Sequence, residues 1–212
     1  MKKSVKVRKI IFEILYEIYN KNKNFDESYN IFKKNTSLDN QEQSMIFNVV
    51  LNSMRNKYFV NTIINQYLIK RTSLKIKLLL LSAITQILYL DFKIYAVTND
   101  SVEIAKIKRL NPGLINSLLK NIIRNSKKIN RKNIDLKNIP NWLLKSLKLN
   151  KIKTTYFIET ISKEPSLHLV FKNKILLESF KEDNIKTTER SAFLKEKKKI
   201  NEIENYSKGI WW

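Results

Sequence analysis

The chain has 212 residues, of which 41 are Lys or Arg and 19 are Asp or Glu, so its formal net charge at pH 7 is +22. A hydrophobic share of 43% is enough to bury a core and argues against intrinsic disorder. The sequence has no Cys, which excludes thiolate chemistry. It has two Gly and one His, which excludes Gly-rich phosphate loops and multi-histidine metal sites. We therefore expect no catalytic residue, no metal site and no cofactor site in this chain.

The positive charge predicts a polyanionic partner, because Lys and Arg side chains release the counterions condensed on nucleic acid. The alternative is that a Lys- and Asn-rich composition reflects AT-rich coding alone. The longest apolar run, residues 78–90, is interrupted by Ser82, Thr85 and Gln86 and is shorter than the ~18 residues that span a bilayer. Because the basic N-terminus also lacks a signal-peptide core, we expect a cytoplasmic protein without a membrane segment.

From residue 3 to about residue 128 the apolar residues recur with the period of α-helices. Asp39 and Glu42 form a capping-box pattern at the start of a long helix, and Asn111 with Pro112 is typical of another helix start. The predicted helices are the first one, with the stripe Val7, Ile11, Ile14, Leu15 and Ile18, then 27–34, 39–68 with a bend near Asn56, a central helix at 78–90, 96–108 and 112–125.

The second half of the chain has a different pattern. Residues 126–138 are rich in Lys, Arg and Asn and predict a solvated linker, followed by helices from Pro140 and over 153–162. Strand-like runs at 167–171 and 185–189 flank a helix predicted over 175–182, and Ile210 begins a third run. Because natural termini are more often polar and frayed, the two final Trp residues indicate a truncated sequence.

Several segments, in this order, resemble the bacterial ribosomal RNA small-subunit methyltransferase B family, whose N-terminal domain has the helical fold of the NusB antitermination factor. The first is QILYLD at 86–91 with DSVEIAK at 100–106, and the second is GLINSLLK at 113–120. PNWL at 140–143 is similar to the Pro-x-Trp-Leu entry of the family after its linker. EPSLHL at 164–169 and YSKGIWW at 206–212 are similar to the segments that lead to its methyltransferase domain.

The resemblance implies a mainly α protein, with a NusB-like helical bundle at 1–128, a linker at 129–139, and a helical connector with a small, incomplete α/β domain at 140–212. It implies RNA binding, as the recognition half of an S-adenosylmethionine-dependent 16S rRNA (cytosine-5) methyltransferase. The cofactor loop and the Cys nucleophiles of the family belong to a domain missing from this chain. Alone, the chain should therefore bind small-subunit rRNA and catalyse nothing.

The sequence departs from the family pattern at a few positions. An Asp-Arg pair at the start of the long helix is replaced by Glu42 and Gln43. The Pro and His before the Ala-rich turn correspond to Lys93 and Tyr95, and a Glu at the next helix start corresponds to Asp100. These changes put RNA contacts at these positions in doubt, although Asp100 keeps the carboxylate.

The candidate RNA-binding residues are basic and form three groups. They are the basic arm (Lys2, Lys3, Lys6, Arg8 and Lys9), the junction group before the central helix (Lys70, Arg71 and Lys75, beside Lys77) and the helical group (Lys120 and Arg124). Related NusB domains use an arginine near the position of Arg8, and the alternative for the arm is a solvated, frayed helix start. A charged loop is the alternative for the junction group.

Other basic, aromatic and histidine side chains favour structural interpretations. Cations near a helix C-terminus are stabilised by the helix dipole, and runs of Lys are typical of solvated loops. We interpret in this way the clusters Lys106, Lys108 and Arg109, and Lys195, Lys197, Lys198 and Lys199. Tyr89, Tyr95 and Trp142 are candidates for stacking on RNA bases, but their spacing beside leucines favours the core. His168 should point outward and bind no metal.

Two other functions remain open at this stage. The chain is alternatively a free-standing NusB-like transcription antitermination factor that works with a ribosomal protein partner. The residues after about Asn138 argue against this function, because the antitermination factor resembles the first domain alone. The third hypothesis is a degraded, non-functional remnant in an AT-rich genome.

Overall fold

The structure, a computed structural model, describes residues 2–68, 71–130, 133–196 and 198–212. Up to Ser162 the described residues form a helical unit, and Lys163–Trp212 form a separate unit with a small sheet. The predicted mainly α architecture is confirmed. The helices of the first unit are α1 (Lys3–Lys21), α2 (Phe25–Asn35), α3 (Asn40–Arg55), α4 (Lys57–Tyr67), α5 (Leu74–Leu88), α6 (Ile94–Ile107), α7 (Pro112–Arg124), α8 (Asn141–Leu149) and α9 (Thr154–Ser162).

Helix α5 is the centre of the helical bundle, as its apolar run predicts. Residues 78–88 are all buried, and the helix packs against α1, α3, α4, α6 and α7. A helix that is apolar on every side is stable only when other helices surround it. Among the described residues, no helix is both long enough and apolar enough to cross a bilayer.

Side-chain caps set several helix boundaries. The Asp39 carboxylate accepts from the Glu42 backbone N–H at 2.8 Å, and the Glu42 carboxylate accepts from the Asp39 N–H at 2.9 Å, which confirms the capping box. Asn111 likewise accepts from the Leu114 N–H at 3.0 Å. A second capping box, between Asn24 and Glu27, starts α2 earlier than the sequence pattern predicts.

The predicted bend near Asn56 is a break between α3 and α4. The Asn56 side chain donates to the Asn52 carbonyl at 3.0 Å, and the residue is 7% exposed. Because this amide competes with the backbone for a carbonyl of the preceding turn, it favours the end of a helix over its continuation.

Residues 129–139 were predicted as a solvated linker, but the described residues 129–130 and 133–139 are anchored to the bundle. Ile139 is 3% exposed and packs with Tyr58, Phe59 and Ile158 of α4 and α9, and the Asp135 N–H donates to the Thr62 hydroxyl at 2.8 Å. A few isoleucines are therefore enough to hold this polar segment against the helices of the bundle. The first unit includes this segment together with α8 and α9.

The second unit contains β1 (His168–Val170), α10 (Lys174–Glu178), β2 (Asn184–Thr188) and β3 (Ser191–Leu194). The sheet is antiparallel with the order β1-β3-β2, so its central strand is one that the sequence pattern did not predict. The expected run near Ile210 is present as a short extension, because Val170 and Trp212 exchange two backbone hydrogen bonds of 2.9 and 3.0 Å. Leu169, Phe171 and Leu194 lie in the core of this unit.

A buried ion pair joins the first helix of the bundle to the sixth. Arg8 Nη1 donates to Asp100 Oδ2 at 2.7 Å, and both side chains are less than one tenth exposed. Arg8 Nε also donates to Gln86 Oε1 at 2.8 Å, and the guanidinium lies 5.9 Å from the centre of the Phe92 ring. The Gln86 amide in turn donates to the Ser82 carbonyl at 3.2 Å. The pair thus connects α1, α5 and α6.

We expect Arg8→Ala to lower the free energy of unfolding by about 3–5 kcal/mol, because the Asp100 charge is left buried without a partner. Urea denaturation monitored by circular dichroism measures the change. The control is Lys3→Ala, which removes an exposed ion pair with Asp39 and should change stability little. Equal effects of the two substitutions would contradict a structural role for the buried pair.

Candidate nucleic-acid interface

The basic arm is largely tethered to the bundle. Lys3 Nζ lies 2.6 Å from Asp39 Oδ2, and Lys6 Nζ donates to the Ser37 carbonyl at 3.1 Å, so both cations bind the segment before α3. The hydrogen bond to Asp39 raises the pKa of Lys3. Lys2 is exposed and Lys9 is half-buried.

Arg8, predicted as one of the RNA-binding residues of the basic arm, does not lie on the surface. Its side chain is 8% exposed, and its guanidinium already binds Asp100 and Gln86. Neither sequence interpretation, an RNA clamp or a frayed helix start, describes this residue. Asp100, which corresponds to a Glu of the family that the sequence resembles, is also buried, and its carboxylate binds Arg8.

In the junction group, Arg71 precedes α5 and Lys75 lies in its first turn. Arg71 and Lys75 are exposed, and Lys75 Nζ lies 5.4 Å from the centre of the Tyr16 ring. Lys77 is half-buried. The predicted RNA contact of Lys70 lies outside the described residues, as does Lys197.

The helical group lines an open groove between α6 and α7, with a volume of about 820 Å³. Each wall is one face of a helix with the spacing i, i+3 or i+4. The α6 wall carries Tyr95, Thr98, Asn99, Val102 and Lys106, and the α7 wall carries Asn116, Lys120, Ile123 and Arg124. The opposite faces of the two helices, which include Val97, Ile104, Ile115 and Leu119, are buried in the core.

Positive charge dominates this groove. Lys106 pairs with Glu103 at 3.3 Å, whereas Lys120 and Arg124 belong to no ion pair within the described part of the chain. Lys2 lies in a neighbouring cleft that shares Asn99 and Glu103 with the groove. One residue of the arm, Lys2, therefore lines a cleft next to the groove of the helical group, whereas Arg71 and Lys75 line neither.

The interpretation of Tyr95 and Trp142 as core residues is wrong. Tyr95 is 79% exposed and Trp142 is 70% exposed, whereas Tyr89 is partly buried against the core. The helical period of α6 is enough to predict that Tyr95 is exposed. It lies two residues before the buried Val97, on the face that continues to Asn99, and therefore outside the buried stripe of α6.

Lys108 and His168 were both predicted to have no role in binding RNA or metal. Lys108 forms an ion pair with Glu13, in agreement with a structural role for the cations at the end of α6. His168 is exposed on β1, as predicted, and its ring lies 5.4 Å from that of Phe193. Within the described ranges, no three His, Asp or Glu side chains are grouped so that they could hold a metal ion.

The sequence model of the NusB family matches residues 5–124, more than half of the chain. The chain belongs to the NusB family. The NusB match begins in α1 and ends with α7, so it contains the buried Arg8–Asp100 pair and both walls of the groove. Helices α8 and α9 and the sheet unit lie beyond it. No curated protein matches the chain.

We expect Lys120→Glu in this NusB domain to weaken the binding of single-stranded RNA and to lower the slope of log affinity against log salt by about 0.7, the contribution of one phosphate contact. Fluorescence anisotropy at several salt concentrations measures both quantities. Lys34→Glu is the matched control, because Lys34 is exposed on α2 and this substitution changes the net charge by the same amount. If both variants lose the same affinity, overall charge and not the groove determines binding.

Proposed function

We propose that this protein binds RNA and is the recognition part of an S-adenosylmethionine-dependent methyltransferase that modifies a cytosine of small-subunit rRNA at carbon 5. RNA is the partner that fits the family, the net charge of +22 and the groove with its exposed cations. The part of the chain that binds RNA is the helical bundle. Its task is to hold the substrate hairpin while another domain transfers the methyl group.

The observation that carries the finer assignment is the structure that follows the family match. After Arg124 the chain continues with an anchored segment, α8, α9 and a unit with its own sheet and core. A bundle that acts alone in antitermination requires none of these elements. A multidomain RNA enzyme uses such elements to connect a recognition domain to a catalytic one.

The residues of this chain do not fit the cofactor or the chemistry of the proposed reaction. Cytosine methylation at carbon 5 in the resembled family uses Cys nucleophiles, and the sequence has no Cys. Gly113 lies in the first turn of α7, and the surroundings of Gly209 are open, with no atom within 4 Å of the position that a Cβ would take. Neither glycine therefore belongs to a Gly-rich loop that could enclose a phosphate. The methyl transfer therefore belongs to a domain outside these 212 residues.

Deletion of the gene in its host should abolish one 5-methylcytosine in small-subunit rRNA, which bisulfite sequencing detects. The gene restored in full should recover the modification. An unchanged methylation pattern, together with premature termination in the rRNA operons, would overturn the methyltransferase assignment and support the free-standing antitermination factor.

The RNA-binding part of the proposal has a separate test. The chain should bind an rRNA hairpin with an affinity that falls steeply as salt rises, because phosphate contacts release counterions. Absent or salt-independent binding would overturn both RNA functions.

A further inference from the structure

We propose that the groove between α6 and α7 binds an unpaired nucleotide of the RNA, with the base stacked on Tyr95 and the neighbouring phosphates held by Lys120 and Arg124. The inference rests on the proposed RNA-binding function and names the kind of RNA that this surface recognises. It assigns a role to a tyrosine that the fold does not require.

Tyr95 is the first element of this argument. With 79% of its surface exposed, the side chain is available at the mouth of the groove, next to Ile94, which is 47% exposed. An aromatic ring in this position contributes little to the core and presents a flat apolar face to solvent. Unpaired bases stack on such rings, and the interaction tolerates any of the four bases.

Polar groups in the groove provide the second element. The amides of Asn99 and Asn116 line its two walls, and each amide offers both donors and an acceptor to the edge of a base. Thr98 also lines the groove at 8% exposure, and its hydroxyl has no hydrogen-bond partner among the described residues. The groove therefore combines a stacking surface with groups that can distinguish base edges.

The cations and the apolar side chains of the groove together indicate that its occupant is an anion with an apolar part. Lys120 and Arg124 lie one helical turn apart on α7, so they can contact phosphates on the same side of the groove. Val102 and Ile123 supply the apolar surface between the walls. A volume of about 820 Å³ is in the range of small-molecule sites and accommodates a nucleotide.

An unpaired nucleotide fits this surface better than a duplex. In A-form RNA the bases are stacked on each other, and side chains read mainly the phosphates and the 2′-hydroxyls. A ring such as Tyr95 reaches a base face only where the strand is open, as in a loop or a bulge. The groove should therefore favour the loop of a hairpin over its stem.

Titration of a single-stranded RNA that carries a fluorescent adenine analogue tests the proposal with the full chain. We expect quenching on binding to the unaltered protein, and an affinity lower by about 5- to 150-fold for Tyr95→Ala, which corresponds to the loss of one base–aromatic stack. Tyr95→Phe should retain both the quenching and the affinity. Circular dichroism confirms that each variant is folded.

The matched control is Tyr156→Ala, because Tyr156 of α9 is 67% exposed and lies outside the groove. It should bind as the unaltered protein does, and a fully paired RNA duplex should bind Tyr95→Ala and the unaltered protein equally. If the unaltered chain binds RNA but Tyr95→Ala changes neither affinity nor quenching, the groove is not the base site, and the proposed RNA-binding function stands. If the unaltered chain binds no RNA, both proposals fail.

Discussion

The buried ion pair between Arg8 and Asp100 is the constraint on which the positions of α1, α5 and α6 depend. Two charges removed from water are tolerated only when their hydrogen-bonding groups are satisfied, and here Gln86 of α5 supplies the additional acceptor. On α6, Asp100 is buried together with Val97 and Ile104, so the ion pair and the apolar residues direct the same face of the helix inward. With Asp100 directed inward, the face that carries Tyr95 and Asn99 is directed toward the groove.

The fold of the bundle could be predicted to a large extent from the sequence, because its signals are local. The period of apolar residues identifies the helices, and Asp39 and Asn111 identify their starts. The sheet unit was harder to predict, since β3 has four residues and one of its two partners, β1, is separated from it in the sequence by α10 and β2. The anchored segment was missed for a related reason, because Ile139 contacts α4, about eighty residues earlier.

The candidate interface could be predicted only in part, because charge alone does not distinguish a surface cation from a buried one. The sequence places Arg8 among five basic residues, and only the approach of α6 shows that its partner is Asp100. The sequence predicts Lys120 and Arg124 as RNA-binding residues, and both are exposed, but their position opposite Tyr95 depends on how α6 packs against α7. The same packing decides which aromatic residues remain outside the core.

In the proposed RNA recognition, the net charge and the groove serve different purposes. A charge of +22 attracts any polyanion and lacks the geometry to select one. Phosphate contacts position a nucleic acid, whereas stacking and hydrogen bonds to bases determine which part of it is bound. The groove places Tyr95, Asn99 and Asn116 beside the exposed cations Lys120 and Arg124. In the proposed function, this groove is where general attraction becomes selection of an open strand.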